Sequence, residues 1–291
     1  MNLLAILFAL AVERAFPQGT ALGESHVLRG LLRGLKRLAW LSDGLWLPWL
    51  LTIAAVALTQ LLDHLLPGAL AQVLFGAAML FLCLGPRDLS DDVQRLIAAK
   101  ARGDAAETER LSRALQSGPA PDESHRNLIG ALFIQSHERL FGVLLWFMVL
   151  GPAAAVGYRL SSRLPLLLEQ QGYGSNTRQS AEQLHGLAAW LPSRVTAALF
   201  ALAGSMDDAL AAWKRVGELH YSGAWRSHSW AVLAEVGAGS LAVEDPQSIA
   251  PEAMSVAPSL EAALREVLRM QSRALLVLLA GFAVYTSGTL V

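Results

Sequence analysis

The chain has 291 residues, of which 54% are apolar and only 16% charged, and its mean hydropathy is +0.41. Soluble domains carry about 25% charged residues, so the deficit argues against an ordinary soluble enzyme and for a polytopic membrane protein. A net charge of −1 gives no ground for a nucleic-acid partner, and Cys83 has no second thiol to pair with.

In chain order, the first apolar run is Asn2 to Val12, followed by Glu13-Arg14. It lacks the basic start and small-residue cleavage site of a signal peptide. The expectation is a retained helix, too short to span upright, that dips into the membrane or packs against other spans. Between Arg14 and Trp40, Leu28, Leu31, Leu32, Leu35 and Leu38 recur at helical spacing, opposite Arg29, Arg33, Lys36 and Arg37. A basic amphipathic helix of this kind lies on an anionic membrane surface. Two spans come next, Leu45 to Leu62 and Gly68 to Gly85, joined tightly through Leu65-Leu66-Pro67. Trp46 and Trp49 are interfacial anchors for the first.

The polar stretch from Arg87 to Arg139 reads as three helices. Ser90, with Asp91-Asp92 behind it, opens one helix, and Asp104-x-x-Glu107 is a capping box for the second. Asp122 caps a third, which carries Leu128, Leu132 and Phe133 on its apolar face and runs into the next span. Glu138 and Arg139 are then expected on a rigid helix at the membrane boundary. From Leu140 to Gly157 there is no charged or amide side chain, so this stretch reads as one crossing, interrupted by Gly151-Pro152 and closed by Tyr158-Arg159. The apolar stretch Trp190 to Gly204, with Arg194 near its start, reads either as a short span or as a re-entrant helix. Asp245-Pro246 to Pro258 is a linker, and a last span begins at Ala274.

The fold class is therefore all-α: a polytopic helical membrane protein with cytoplasmic helical loops. Its expected parts are 1–44 (short apolar and basic helices), 45–86 (transmembrane hairpin), 87–139 (cytoplasmic helices), 140–205 (transmembrane or re-entrant), 206–269 (helical loop) and 270–291 (final span). Basic residues set sidedness. Eight lie in 87–139 and five in 205–269, against Arg163 and Arg178 alone in 160–189, which favours five crossings over four.

Catalytic motifs are sparse. There is no Gly-x-x-x-x-Gly-Lys-Ser/Thr, no Gly-x-Ser-x-Gly, and His137-Glu138 lacks the second histidine of His-Glu-x-x-His. The seven histidines show no metal-ligand spacing with cysteine, His220 and His228 being eight apart, and read as solvent-facing or hydrogen-bonding groups. What remains is a set of polar residues around the spans: Glu13, Arg14, Glu138, Arg139, Tyr158, Arg159, Trp190 and Arg194. Ionisable groups near lipid are functional candidates. Snorkelling and topology anchoring compete with a polar site built from these residues, in which Glu13 pairs with Arg139 or Glu138 with Arg14. No metal ligand set is expected.

These residues also carry a resemblance. Leu-Ala-Val-Glu13-Arg14-Ala-Phe16, Ser136-His137-Glu138-Arg139-Leu140-Phe141, Gly151-Pro152 with Tyr158-Arg159, and Trp190-Leu-Pro192-Ser-Arg194-Val-Thr-Ala resemble the AmpE family over nearly the whole chain. The resemblance implies a bacterial inner-membrane signalling modulator linked to β-lactamase induction and cell-wall recycling. It implies lipids and other membrane or recycling proteins as partners, and ATP as a ligand by resemblance alone. AmpE is in turn similar to the CobD/CbiB adenosylcobinamide-phosphate synthases, which share the Gly-Pro, Tyr-Arg and Trp-Leu-Pro-x-Arg-x-Thr-Ala elements. Those synthases carry Asn-Thr-x-Asp-Ser-Met after Tyr-Arg, where this chain has Leu-Ser161-Ser162-Arg163, and Glu-Asn-x-x-Asp where it has Gln135-Ser-His-Glu138-Arg139. The synthase carboxylates are missing at the matching positions, so the expectation leans away from an enzyme. A membrane enzyme with altered or lost activity and a transporter component are the alternatives. Glu138→Ala is expected to matter more than Glu123→Ala.

Overall fold

A computed structural model describes residues 2–15, 33–34, 44–84, 89–116, 125–218, 225–241 and 260–288. The basic amphipathic helix expected between Arg14 and Trp40, the Asp122 cap and the linker after Asp245 lie outside the described residues, apart from the helical pair 33–34. Among the described residues all regular structure is helical: α1 (Asn2–Ala15), α2 (Leu47–Leu65), α3 (Ala69–Leu84), α4 (Leu89–Ala101), α5 (Ala105–Leu115), α6 (His125–Ser136), a π-helical turn (His137–Phe141), α7 (Gly142–Leu150), α8 (Pro152–Gln170), α9 (Ser175–Ala203), α10 (Met206–Glu218), α11 (Trp225–Ser240) and α12 (Leu260–Gly288). Five helical runs are long and apolar enough to cross a membrane: Leu47–Leu65, Ala69–Ala101 (part of which is undescribed), Leu128–Leu150, Ser175–Ala203 and Leu260–Gly288. The protein is an all-α polytopic membrane protein.

Two expectations need correction. The crossing read from Leu140 to Gly157 breaks in the middle. Gly151 takes φ 79, open to glycine without strain, and Pro152 opens α8. A proline has no N–H to continue the ladder of the preceding helix, so α7 stops at Leu150. The apolar run is completed on its other side, through α6 and the π turn. Glu138 and Arg139 therefore stand near the midpoint of the run Leu128–Leu150, not at its end. The second correction concerns Trp190 to Gly204, which is not a short separate segment. It is the second half of α9, a helix of 29 residues that carries Pro192 without ending there.

The chain forms two compact units. The first comprises Met1–Arg87, Glu138–Pro192 and Gly223–Arg226. In it α2 packs on α8, α3 on α8, and α7 on α8. α1 packs on α3 by burying Ala5, Ile6 and Ala9, so the short N-terminal helix finds protein partners. Leu47 of α2, Leu164, Leu167 and Leu168 of α8, Tyr173 and Ala181 form one core. Thr52 and Thr59 return their hydroxyls to the carbonyls of Pro48 and Ala55, which satisfies polar groups on an apolar helix.

The second unit comprises Asp88–His137, Ser193–Ser222 and Ser227–Val291. Here α4 packs on α5, and α6 contacts α4, α5 and α12. Ala197, Ala201, Ala209, Val216, Val232 and Val236 join α9, α10 and α11 in a core of small side chains. The capping box forms as read: the Asp104 carboxylate accepts from the Glu107 backbone N–H at 3.0 Å.

Candidate functional site

The π turn decides which way the polar residues of the third apolar run point. A π turn holds an extra residue per turn and rotates the downstream side chains relative to a plain α-helix. His137, its first residue, belongs to the second unit, where its Nδ1 lies 2.9 Å from the Thr196 hydroxyl. Its neighbour Ser136 donates to the Gln271 Oε1 at 3.1 Å. Glu138, the next residue, belongs to the first unit and meets a different set of groups.

Glu138 Oε1 lies 2.8 Å from His185 Nε2. The imidazole side chain is 0% exposed and the carboxylate side chain 12%. The other carboxylate oxygen accepts from the Tyr158 hydroxyl at 3.5 Å, and the Glu138 carbonyl accepts from Arg159 Nη1 at 3.4 Å. Ser161 Oγ lies 3.4 Å from His185 Nδ1 and donates to the Tyr158 carbonyl at 2.8 Å. The Tyr158 and His185 rings tilt against each other with centroids 5.6 Å apart. Three helical segments thus meet at one buried ionic cluster: the π turn, α8 and α9.

Two glycines make room for it. A Cβ on Gly142 would lie 2.4 Å from the Tyr158 ring and hydroxyl, so only glycine lets that tyrosine reach Glu138. A Cβ on Gly186 would lie 2.8 Å from the Arg226 backbone nitrogen and 2.9 Å from Trp225 Cβ. The start of α11 therefore seats directly on α9, next to His185. Small residues at helix contacts are what allow such close approach within a membrane. Arg226 is also part of this unit, with Nη1 4.0 Å from Glu182 Oε1. Burial holds its guanidinium below the usual arginine range, and the charges of Glu138, Glu182 and Tyr158 pull the other way. An arginine so shifted still carries its proton at neutral pH.

Of the eight residues singled out from the sequence, the structure brings together Glu138, Tyr158 and Arg159. Arg139 is half-buried on the same π turn. Trp190 is 42% exposed on α9. Arg194 falls in the second unit, where its charge joins burial in holding His228 below the usual histidine range. Glu13 and Arg14 end α1, and their side chains lie outside the described residues, as do the pairings expected of them. Sequence reasoning missed His185, Ser161, Glu182 and Arg226. One signal was available: an imidazole inside a helix apolar enough to span a membrane is a functional candidate by its cost alone.

Among the described residues no group of three His, Cys, Asp or Glu side chains is placed to hold a metal ion. What the cluster offers is an imidazole against a carboxylate, a phenol and guanidinium groups in a largely buried setting.

A family model described as "Regulatory signalling modulator protein AmpE" matches residues 1–289. Two curated relatives both carry the name "Cobalamin biosynthesis protein CobD". The one from Stutzerimonas stutzeri (strain A1501) is 28% identical over 214 residues, which is 70% of this chain and 66% of that protein. The one from Chromobacterium violaceum is 30% identical over 243 residues, 80% of this chain and 70% of that protein. The chain thus spans about two thirds of the length of these relatives. No solved structure matches it.

Proposed function

Because the chain belongs to the AmpE family of regulatory signalling modulators, we propose that it works in the bacterial inner membrane, links cell-wall recycling to β-lactamase induction, and senses its signal at the Glu138–His185 cluster. One observation carries the siting: an ion-pair geometry of 2.8 Å with its imidazole fully buried, in helices that are otherwise apolar. Groups of this kind are expensive in a membrane and persist where they act. Tyr158 and Arg159 donate to Glu138 around this pair, and Gly142 and Gly186 let the neighbouring elements close on it.

The experiment is complementation of a strain with inducible β-lactamase that lacks its own family member. Wild-type chain restores normal induction on β-lactam challenge, Glu138→Ala does not, and the exposed Glu107→Ala does. Equal induction by all three, at equal membrane abundance, would sink the reading.

A second reading is favoured by the two CobD relatives: a membrane enzyme of the same stock with altered activity. The expected outcome is that the chain fails to restore cobalamin-dependent growth to a strain lacking its CobD protein. Rescue would favour the enzyme.

A further inference from the structure

We propose that Glu138 and His185 jointly hold one exchangeable proton, and that its loss is a switch read by Arg226 at the start of α11; the signalling part of this rests on the siting proposed above.

The argument is a count of hydrogens. Ser161 has one hydroxyl hydrogen, and the Tyr158 carbonyl takes it at 2.8 Å. The lone pairs of that hydroxyl are what remain for His185 Nδ1, 3.4 Å away. A bare Nδ1 lone pair facing them would be repulsive, so Nδ1 carries a hydrogen. The 2.8 Å contact between His185 Nε2 and Glu138 Oε1 needs a proton of its own. The pair is therefore either imidazolium with carboxylate or neutral imidazole with carboxylic acid. Both forms hold the same number of protons and both have zero net charge, which suits a pair largely removed from water. Removing one proton, which leaves to water on the exposed edge of Glu138, puts one negative charge on the pair; the hydrogen left on the ring then donates from Nε2 to the carboxylate, and the Ser161 hydroxyl turns to donate to Nδ1.

The neighbours make that loss feasible. Tyr158 and Arg159 approach Glu138 from α8, and the Arg226 charge acts on it from α11. Glu182, one turn before His185 on α9, opposes them through its contact with Arg226. On α3 the Cys83 thiol is within range of the Arg159 charge. The described side chains of α1 and those of α7 carry no titratable group. The guanidinium groups of Arg159 and Arg226, with Arg139 next to Glu138 on the π turn, thus outnumber the one opposing carboxylate. Arg226 is the group placed to respond. Its contact with Glu182 is a long one, 4.0 Å, and its backbone sits on Gly186, next to the histidine. A net charge on the pair draws Arg226 towards Glu138. A π turn, whose register can revert to α, is a fitting base for such a device.

The test is nitrogen NMR of the full chain with 15N-labelled histidine in lipid nanodiscs, with the His185 signal identified by its absence in His185→Gln. The expected result in the wild type is a protonated Nδ1 at neutral pH and loss of a single proton as pH rises. In Glu138→Gln the ring is neutral and protonated at Nδ1 alone. In Arg226→Gln the transition moves up by about one pH unit, since a positive neighbour has gone. An unprotonated Nδ1 in the wild type overturns the shared proton, and needs no variant to fold. An unchanged transition in Arg226→Gln overturns the switch. If the proton behaves as expected while Glu138→Ala leaves β-lactamase induction intact, the proton site stands and its signalling role falls. If induction is lost but Nδ1 is bare, the siting stands and the proton mechanism falls.

Discussion

Two acid–base contacts in this protein have nearly the same length and opposite surroundings. Glu107 and Arg110 on α5 meet at 2.6 Å with side-chain exposures of 33% and 68%. Glu138 and His185 meet at 2.8 Å with exposures of 12% and 0%. Contact distance alone makes the two look alike. In water an attraction at this range is screened and offset by the entropy of holding two long side chains together. In a dry interior the same attraction is large, and so is the cost of leaving either partner alone. The exposed pair is local, three residues apart on one helix. The buried pair joins residues 47 apart in sequence and ties the π turn to α9. The comparison teaches that in this chain an ion pair's weight follows its burial and its reach between helices.

The comparison is broken most sharply by Glu138→Ala, which leaves His185 buried without its carboxylate. The expected cost is about 3–5 kcal/mol, read by unfolding in mild detergent. A cost below the noise of that measurement would mean that water reaches the site. Gly142→Ala comes next, because the new Cβ would sit 2.4 Å from the Tyr158 ring and push its hydroxyl off Glu138. Overpacking of this kind costs about 1–3 kcal/mol, and the Tyr158 fluorescence should change with it. Asp104→Ala removes the cap whose carboxylate accepts from the Glu107 N–H, and about 1 kcal/mol of stability with it. The smallest effect is expected for Arg110→Ala, a slight fall in Tm at neutral pH. The hydrogen bond from Arg110 holds the Glu107 carboxyl below the usual carboxylate range. Its folded pKa is thus below its unfolded one, so whatever it contributes is present above the unfolded value. That contribution fades as pH falls through the folded value. A pH series of Tm should therefore show the wild type and Arg110→Ala converging on the acid side. A difference that grows with acid would contradict this.

How much can be read in advance divides along the same line. The Asp104-x-x-Glu107 box is legible because its partners are three residues apart and their geometry is helical. The apolar runs are legible by length, and Glu138, Tyr158 and Arg159 stand out because polar groups around an apolar run are costly. The fold class comes from the same runs. His185 is not legible as a partner of Glu138. Nothing local links a residue in the π turn to one on α9. The π turn itself escapes because periodicity assumes about 100° per residue, and an inserted residue alters which neighbour each side chain meets. Gly151-Pro152 reads as a break, yet apolar length alone counts the run as one crossing. The glycine's positive φ, taken together with the proline's missing N–H, moves the span back onto α6. Gly142 and Gly186 illustrate the same limit, since a glycine that spaces two helices looks like any other until the second helix is known.

The central claim is that Glu138 and His185 act as one unit. A double-mutant cycle tests it most directly, with β-lactamase induction measured for Glu138→Ala, His185→Ala and the double variant at matched membrane abundance. Residues in direct contact couple, while independent ones add. The expected result is that each single variant loses induction to a similar degree and the double variant loses no more than either. Additive losses, or a silent His185→Ala, would contradict the claim.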